Sequence, residues 1–365
     1  MRSIRRFCRR LSWLQLIVLV SGAVVVGLNV LKFRQNNEAR DRDRAKPVFE
    51  VHHLETEKPR IPTAKRVDSR PTKWIRVTQQ AAPAPKRDKS LDSLHISIKT
   101  GLVYHQSRLS VLLETWFNDA PEQTYFITDT NDETLQQKTG DHLIVSKCGS
   151  SHSRASLCCK AEQEFEVFYQ RKENKRWFCH VDDDTYLNVP ELLKMLSKYD
   201  SSIDYYIGKS SIGRPLDISL VGKALPEGAV HKPFWFATGG AGYCISRSLL
   251  DRMESHIRNG GFVSICDSIR LPDDVAVGFL SECILGTTLT QLSVLHSHLE
   301  MQSRVHKSDV KSQITFSYGK LGTWDTLIPI DGPFSQEKDP TRFKSFYCLL
   351  HPKVPWCPPY TENLL

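Results

Sequence analysis

Beyond its first quarter the chain alternates between two hydrophobic periods. His95–Thr100 alternates apolar and polar residues as a strand does, and Arg108–Asn118 (RLSVLLETWFN) switches to helical spacing through Leu109, Leu112, Leu113 and Trp116. Thr124–Thr130 and His142–Ser146 predict further strands, and Ser156–Tyr169 a helix. Trp177–Val181 is short, apolar and aromatic, as a buried strand is. A helix over Pro190–Tyr199 follows, with Pro at its first position, and Tyr205–Lys209 and Leu292–Leu295 predict strands again. Strands and helices alternating at this spacing predict an α/β fold with a mostly parallel central sheet. Ligands of such sheets sit outside the carboxyl ends of the strands.

The first quarter follows a different pattern. Residues Leu11–Leu31 form an apolar run interrupted by Ser12, Gln15, Ser21 and Asn29, close to the ~20 residues a helix needs to cross a bilayer. Arg2, Arg5, Arg6, Arg9 and Arg10 precede it, which orients the N-terminus to the cytosol and everything after Lys32 away from it. The competing reading is a cleaved signal peptide cut near Ser21-Gly22-Ala23. The apolar run continues past those residues to Leu31, which favours an uncleaved anchor. From Lys32 to Ser90 the chain is poor in aliphatic residues and rich in Pro, Arg and Lys, with no period, so it reads as a disordered stem. The expected organisation is a cytoplasmic tail (1–10), a transmembrane anchor (11–31), a stem (32–90) and a lumenal catalytic domain (91–365). Lys65-Arg66 and Lys86-Arg87 are candidate sites for releasing a secreted form.

Charge supports this division. The net charge of +8 arises because 21 of the 49 Lys and Arg precede Leu91 but only eight of the 41 Asp and Glu do. The remainder is slightly acidic, so nucleic acid is not an expected partner. Nine of the ten cysteines lie beyond the apolar run, and no Cys-x-x-Cys pair occurs; in a compartment reached through a membrane signal this reads as disulfides rather than zinc.

The candidate chemistry centres on WFCHVDDDTYLN, where the strand breaks into Asp182, Asp183 and Asp184. Three successive carboxylates repel one another, and at a buried strand end they call for a cation, such as a hard divalent ion that also takes phosphate oxygens. A solvated acidic turn is the plain alternative; an EF-hand lacks its glycine and closing Glu here. Further on, FWFATGGAGYCIS brings Gly239, Gly240 and Gly242, which permit close backbone approach or simply a tight turn. In RLPDDVAVGF, Pro272 and Asp273 open a helix. Asp273 is most simply its cap, whereas Asp274 at a pocket rim can accept a proton from a sugar hydroxyl. His296 and His298, in VLHSHLE, lie two apart after the predicted strand and so would point to one face. One imidazole beside the aspartates would complete a mixed oxygen and nitrogen site of the kind manganese accepts.

These motifs, in this order after KTG and HQSRLSVLLETW, resemble the Fringe glycosyltransferases from about His95 to Pro358. The resemblance implies a GT-A fold, a nucleotide-sugar-binding sandwich that uses UDP-N-acetylglucosamine and manganese. It also implies a Golgi membrane enzyme that adds N-acetylglucosamine in β1,3 linkage to O-linked fucose on EGF-like repeats of Notch receptors. Carried over by position, Asp184 and His298 would bind the metal, Thr100, Arg108 and Asp183 the nucleotide-sugar, and Asp274 would be the catalytic base. It further implies Cys148–Cys159, Cys179–Cys244 and Cys348–Cys357 bridges, although either Cys158 or Cys159 could pair with Cys148. Cys158, Cys266 and Cys283 depart from the pattern; a Cys266–Cys283 bridge with Cys158 left over is the expectation. Rival readings are a related β1,3-galactosyl- or glucosyltransferase, and a non-catalytic lectin or chaperone of the same fold. The second would require a broken acidic motif or a missing base, and neither is seen.

Overall fold

The computed structural model describes residues 90–217, 225–226 and 228–359. The predicted anchor and all but the last residue of the predicted stem lie outside them. Among the described residues no helix is long and apolar enough to cross a membrane. The strands that build the site are, in chain order, β1 (Leu94–Lys99), β2 (Thr124–Thr128), β3 (Leu143–Val145), β4 (Trp177–Asp182), β5 (Thr185–Leu187), β6 (Tyr206–Gly208), β7 (Tyr243–Ser246), β8 (Leu289–Gln291) and β9 (Thr315–Ser317); two short hairpin-like pairs, Leu216–Asp217 with Pro233–Phe234 and Gly319–Leu321 with Trp324–Thr326, lie apart from them. Seven of them form one sheet in the order β8-β6-β7-β4-β1-β2-β3. Every neighbouring pair is parallel except those involving β7, which runs antiparallel between β4 and β6. Short β5 pairs antiparallel with β9 beside the sheet.

Alternation along the two central strands sends side chains into two separate cores. Leu94, Ile96 and Ile98 of β1 join Trp177, Cys179 and Val181 of β4 in a cluster with Leu109, Leu112 and Trp116. The helices Val189–Leu196 and Phe343–Leu350 complete that side through Leu192 and Phe346. Phe178 of β4 enters the second core, where it meets Phe165 and Phe168 of the helix that precedes β4, Arg154–Gln170. Leu249, Phe262 and Phe279, from helices Arg247–Ile257, Gly261–Ile269 and Asp273–Phe279, lie in the same cluster. His95 of β1 contacts Phe168 and Phe178 on this second side, which places Lys99, four residues on, there too. β1 and β4 are paired so that Ser97 lies opposite His180 and Lys99 opposite Asp182.

Three predicted elements differ from the structure. The helix over Arg108–Asn118 is broken into a π-turn (His105–Leu109), one α-helical turn (Ser110–Glu114) and a 3-10 turn (Trp116–Asp119). At the break the Thr115 hydroxyl donates back to the Val111 carbonyl at 2.6 Å, a bond that competes with the helix ladder. The strand predicted over Leu292–Leu295 does not form. β8 ends at Gln291, and the segment is held irregularly, with Ile314 N–H donating to the Val294 carbonyl at 2.8 Å. The helix after the acidic stretch starts at Val189 and ends at Leu196, capped by the Asn188 side chain.

The disulfides correct one expectation. Cys148–Cys159, Cys179–Cys244 and Cys348–Cys357 form, but the remaining bridge is Cys158–Cys266, and Cys283 is a buried free thiol. Neighbouring residues on a helix point about 100° apart. In Arg154–Gln170, Cys159 therefore faces the Cys148 loop while Cys158 faces the helix Gly261–Ile269. Cys283 lies in the π-turn Leu280–Ile284, its sulfur near the Lys232 carbonyl. Cys179 and Cys244 are direct cross-strand neighbours, so that bridge clips the strand carrying the aspartates to β7.

Candidate active site

The site lies where the parallel strands end. β1 delivers Thr100, and β4 runs out at Asp182, so the next two aspartates fall in the turn between β4 and β5. Asp183 and Asp184 are nonetheless buried, at 4% and 8% exposure, and must be satisfied locally. Thr100 Oγ1 donates to Asp183 Oδ2 at 2.8 Å, and Arg108 Nη1 reaches Asp183 Oδ1 at 2.5 Å and Asp184 Oδ2 at 3.1 Å. Arg108 belongs to the π-turn after β1, and its guanidinium carbon sits 4.0 Å from the centre of the Tyr104 ring. The three residues expected to contact the nucleotide-sugar thus meet at one point.

Asp184 is the least comfortable carboxylate. Burial, and next to it the Asp182 charge, push it up to about 7, with Arg108 only partly offsetting them. Ser317 at the end of β9 donates from Oγ to Asp184 Oδ1 at 3.0 Å, and the same oxygen lies 3.3 Å from His298 Nδ1. One hydroxyl therefore touches both expected metal-binding residues. When Ser317 donates to Asp184, the tautomer that completes the contact carries its proton on Nδ1 and presents the Nε2 lone pair. Burial lowers the His298 pKa and keeps the ring neutral, as a ligating imidazole must be. The donor chemistry suits a divalent cation. Among the described residues, however, no group of three or more His, Cys, Asp or Glu side chains is arranged to hold a metal ion. An ion on Asp184 and His298 would therefore need oxygens from its substrate or from water to fill its shell. His296, expected on the same face, has a different environment: it stacks on Phe316 and its Nε2 meets Gln313 Oε1 at 2.9 Å.

The glycine turn forms the partition between these residues and Asp274. Gly239–Ala241 make one 3-10 turn, and only Gly242 of the three glycines has a positive φ, +79°. Of the other two, Gly240 answers to space, whereas a Cβ at Gly239 would make ordinary contacts. A Cβ on Gly240 would lie 3.2 Å from the His298 ring, and one on Gly239 would lie 3.6 Å from Asp182 Oδ2 and 3.8 Å from Asp274 Cβ. Asp274 accepts from Gly239 N–H at 3.2 Å and from Val275 N–H at 2.8 Å. Burial and then the Asp273 charge push it up to about 6, closer to neutrality than an ordinary carboxylate.

Behind this pocket lies a row of charges in which Asp182 and Asp273 meet Lys99, His180 and Glu164, three residues to which the sequence motifs gave no role. Pro272, not Asp273, occupies the cap position of the helix Asp273–Phe279, and the Asp273 carboxylate instead forms a buried ion pair with Lys99. His180 lies between Glu164 Oε1 at 2.8 Å and Asp182 Oδ1 at 3.2 Å. Burial opposes its charge, but Glu164 and Asp182 prevail and raise it to about 9, so it is an imidazolium. The same pairing holds Asp182 well below the usual carboxylate range despite its burial. His180 and Asp182 follow Phe178 on the second-core face of β4, and Lys99 follows His95 and Ser97 on that face of β1. Polar residues carried in a buried face are the sequence signal that marks them.

Known proteins resemble the chain over most of its length. The sequence pattern of the Fringe-like family matches residues 89–354. A Danio rerio lunatic fringe, a β-1,3-N-acetylglucosaminyltransferase, is 41% identical over 339 residues, covering 92% of this chain and 87% of its own. The Xenopus laevis lunatic fringe is 43% identical over 288 residues, 77% of this chain and 75% of its own. The Drosophila melanogaster Fringe glycosyltransferase is 44% identical over 279 residues, 76% of this chain and 66% of its own. Among solved structures, mouse xyloside xylosyltransferase 1 overlays on 60% of this chain and 93% of its own with a TM-score of 0.35 and 10% identity, too loose to carry an argument. With an α/β sheet that is mostly parallel, the acidic turn at its strand ends and a family match over most of its length, the chain belongs to the Fringe-like family, whose named members are β-1,3-N-acetylglucosaminyltransferases.

Proposed function

We propose that this protein is a GT-A-type enzyme that transfers N-acetylglucosamine from UDP-N-acetylglucosamine, with inversion, to the 3-hydroxyl of O-linked fucose on EGF-like repeats of Notch-type receptors. The observation that carries the mechanism is the pairing of two dissimilar walls across a glycine turn: Asp183, Arg108 and Thr100 on one side, Asp274 on the other. Each Asp274 oxygen accepts one backbone N–H, which orients the carboxylate and leaves it lone pairs for a substrate proton. In the reaction Asp274 takes the proton of the acceptor hydroxyl as that oxygen bonds to the anomeric carbon of the donor. The bond from that carbon to the β-phosphate oxygen breaks, and UDP leaves with the electron pair. Thr100, Arg108 and Asp183 hold and orient the donor, and the close backbone of Gly239 and Gly240 leaves room for the sugar.

Asp184 and His298 are the residues that would hold manganese, which when bound supplies a Lewis acid for the charge gathering on the departing diphosphate. The expected setting is the Golgi lumen, with the chain anchored by residues 11–31 as a type II membrane protein. The test is direct. The purified protein is incubated with UDP-N-acetylglucosamine, manganese and an O-fucosylated EGF-like domain, and the product is weighed. A mass gain of one N-acetylhexosamine on the fucosylated domain alone supports the reading. No gain, or a gain with UDP-galactose or UDP-glucose in place of that donor, overturns it.

A further inference from the structure

The second-core face of the sheet carries more acid than the pocket itself uses. Glu164 on the helix Arg154–Gln170, Asp182 at the end of β4, and Asp273 and Asp274 at the start of their helix converge there, with two cations among them, His180 and Lys99. His180 is taken up by Glu164 and Asp182. Lys99 is the last residue of β1, lies opposite Asp182 in register, and pairs with Asp273 while both side chains are about nine-tenths buried. It is therefore a buried side-chain link joining the donor end of β1 to the first turn that carries the proposed base.

We propose that Lys99 is a positioning residue for sugar transfer: by pinning the Asp273 carboxylate toward β1, it fixes the first turn of the helix and so aims Asp274 at the hollow beside Gly239. The inference rests on Asp274 being the base. Two neighbouring carboxylates on one helical turn repel each other, and only one can face the pocket while the other is drawn back to a cation. With Lys99 in place, Asp273 is drawn back, and the neighbouring side chain is free to receive the Gly239 and Val275 N–H groups. Charge acts in the same direction as geometry. Lys99 lowers the Asp274 pKa, whereas Asp273 raises it. The groups acting on Asp274 are Asp273 on its own helix, Lys99 on β1, Tyr206 on β6 and Tyr243 on β7; His180 Nε2 and Asp182 Oδ2 border it around Gly239, and Glu164 pairs with His180. Lys99 is the cation whose charge acts on Asp274, so its loss moves the base one way and the loss of Asp273 moves it the other.

The experiment measures kcat and KM against pH for the full chain and for Lys99→Met, Lys99→Arg, Asp273→Asn and the Lys99→Met/Asp273→Asn pair, with Asp274→Asn as control. In Lys99→Met the acidic limb of kcat/KM is expected to move to higher pH and kcat at pH 6 to fall about tenfold, with donor KM little changed. Asp273→Asn is expected to move the limb to lower pH, the double variant to return it toward the parent, and Lys99→Arg to restore most of kcat. A Lys99→Met enzyme with an unmoved limb, or one whose loss lies wholly in donor KM, overturns the proposal. Should Lys99→Met fail to fold, Asp273→Asn decides through kcat at pH values above the limb, where the base is ionised in parent and variant alike: a fall in kcat with donor KM little changed upholds the positioning role, and an unchanged kcat removes it. Activity retained in Asp274→Asn would instead sink the assignment of the base, a distinct outcome.

Discussion

At the scale of single residues, burial sets the chemistry of two aspartates. Asp274 is raised to about 6 by burial first and by Asp273 second. A general base works ionised, so kcat/KM is expected to decline as pH falls through about 6, well above the ordinary aspartate value near 4. The same shift has a sign for stability. A carboxyl whose folded pKa lies above its unfolded one favours folding while protonated; that contribution fades as pH rises from about 4 to about 6, and ionised Asp274 is a net cost above it. Asp274→Asn is therefore expected to reduce turnover by about a hundred- to ten-thousandfold while leaving UDP binding intact and the melting temperature at pH 7 equal or higher. Calorimetry beside a turnover assay checks both halves. Asp184, raised to about 7, carries the complementary prediction. Manganese with UDP is expected to raise the melting temperature, by about 2.7 kcal/mol of stability at a hundred times its Kd. Asp184→Asn is expected to lose that response without being destabilised when metal-free. An undiminished response in the variant would count against Asp184 as a ligand.

At the scale of elements, the helix Arg154–Gln170 does two jobs because of its pitch. Cys159 anchors it to the Cys148 loop, and Cys158 anchors it to the helix Gly261–Ile269. The Cys158–Cys266 bridge spans 108 residues of sequence, and removing such a bridge is expected to cost about 2–4 kcal/mol. Non-reducing peptide mapping should recover Cys158 joined to Cys266, with Cys283 alkylated only after unfolding. A Cys266–Cys283 peptide would reverse the assignment. The same elements show what was legible beforehand. β1, β2, β4 and Arg154–Gln170 lie within a residue or two of their predicted bounds, because their apolar periods are long or flanked by clear breaks. The helix after β1 and the segment before His296 were misread for a shared reason. Their apolar spacing is right, but local competition, the Thr115 hydroxyl in one and irregular pairing with the Ile314 segment in the other, decides the backbone.

At the scale of the molecule, the distribution of charge separates an expected tether from the folded part. The full chain is expected to resist carbonate extraction from membranes and to keep its C-terminal region shielded from added protease. A C-terminal region open to protease on the cytosolic side would overturn the proposed topology. Within the folded part, the sheet provides two cores, one on each face, and the site forms where β1 and β4 end together. Distances of 75 residues between Arg108 and Asp183, or 133 between Asp184 and Ser317, are closed only by strand pairing. The sequence by itself determined the alternation of strands and helices, the acidic turn, the six candidate site residues and their likeness to one family, because each is written in local pattern or contiguous motif. Tertiary structure alone decided the partner of Cys158, the split between His296 and His298, the bridging role of Ser317 and the Lys99–Asp273 pair. The reason is physical: which polar side chains share a buried face depends on register between strands far apart in the chain, and that register is settled by packing.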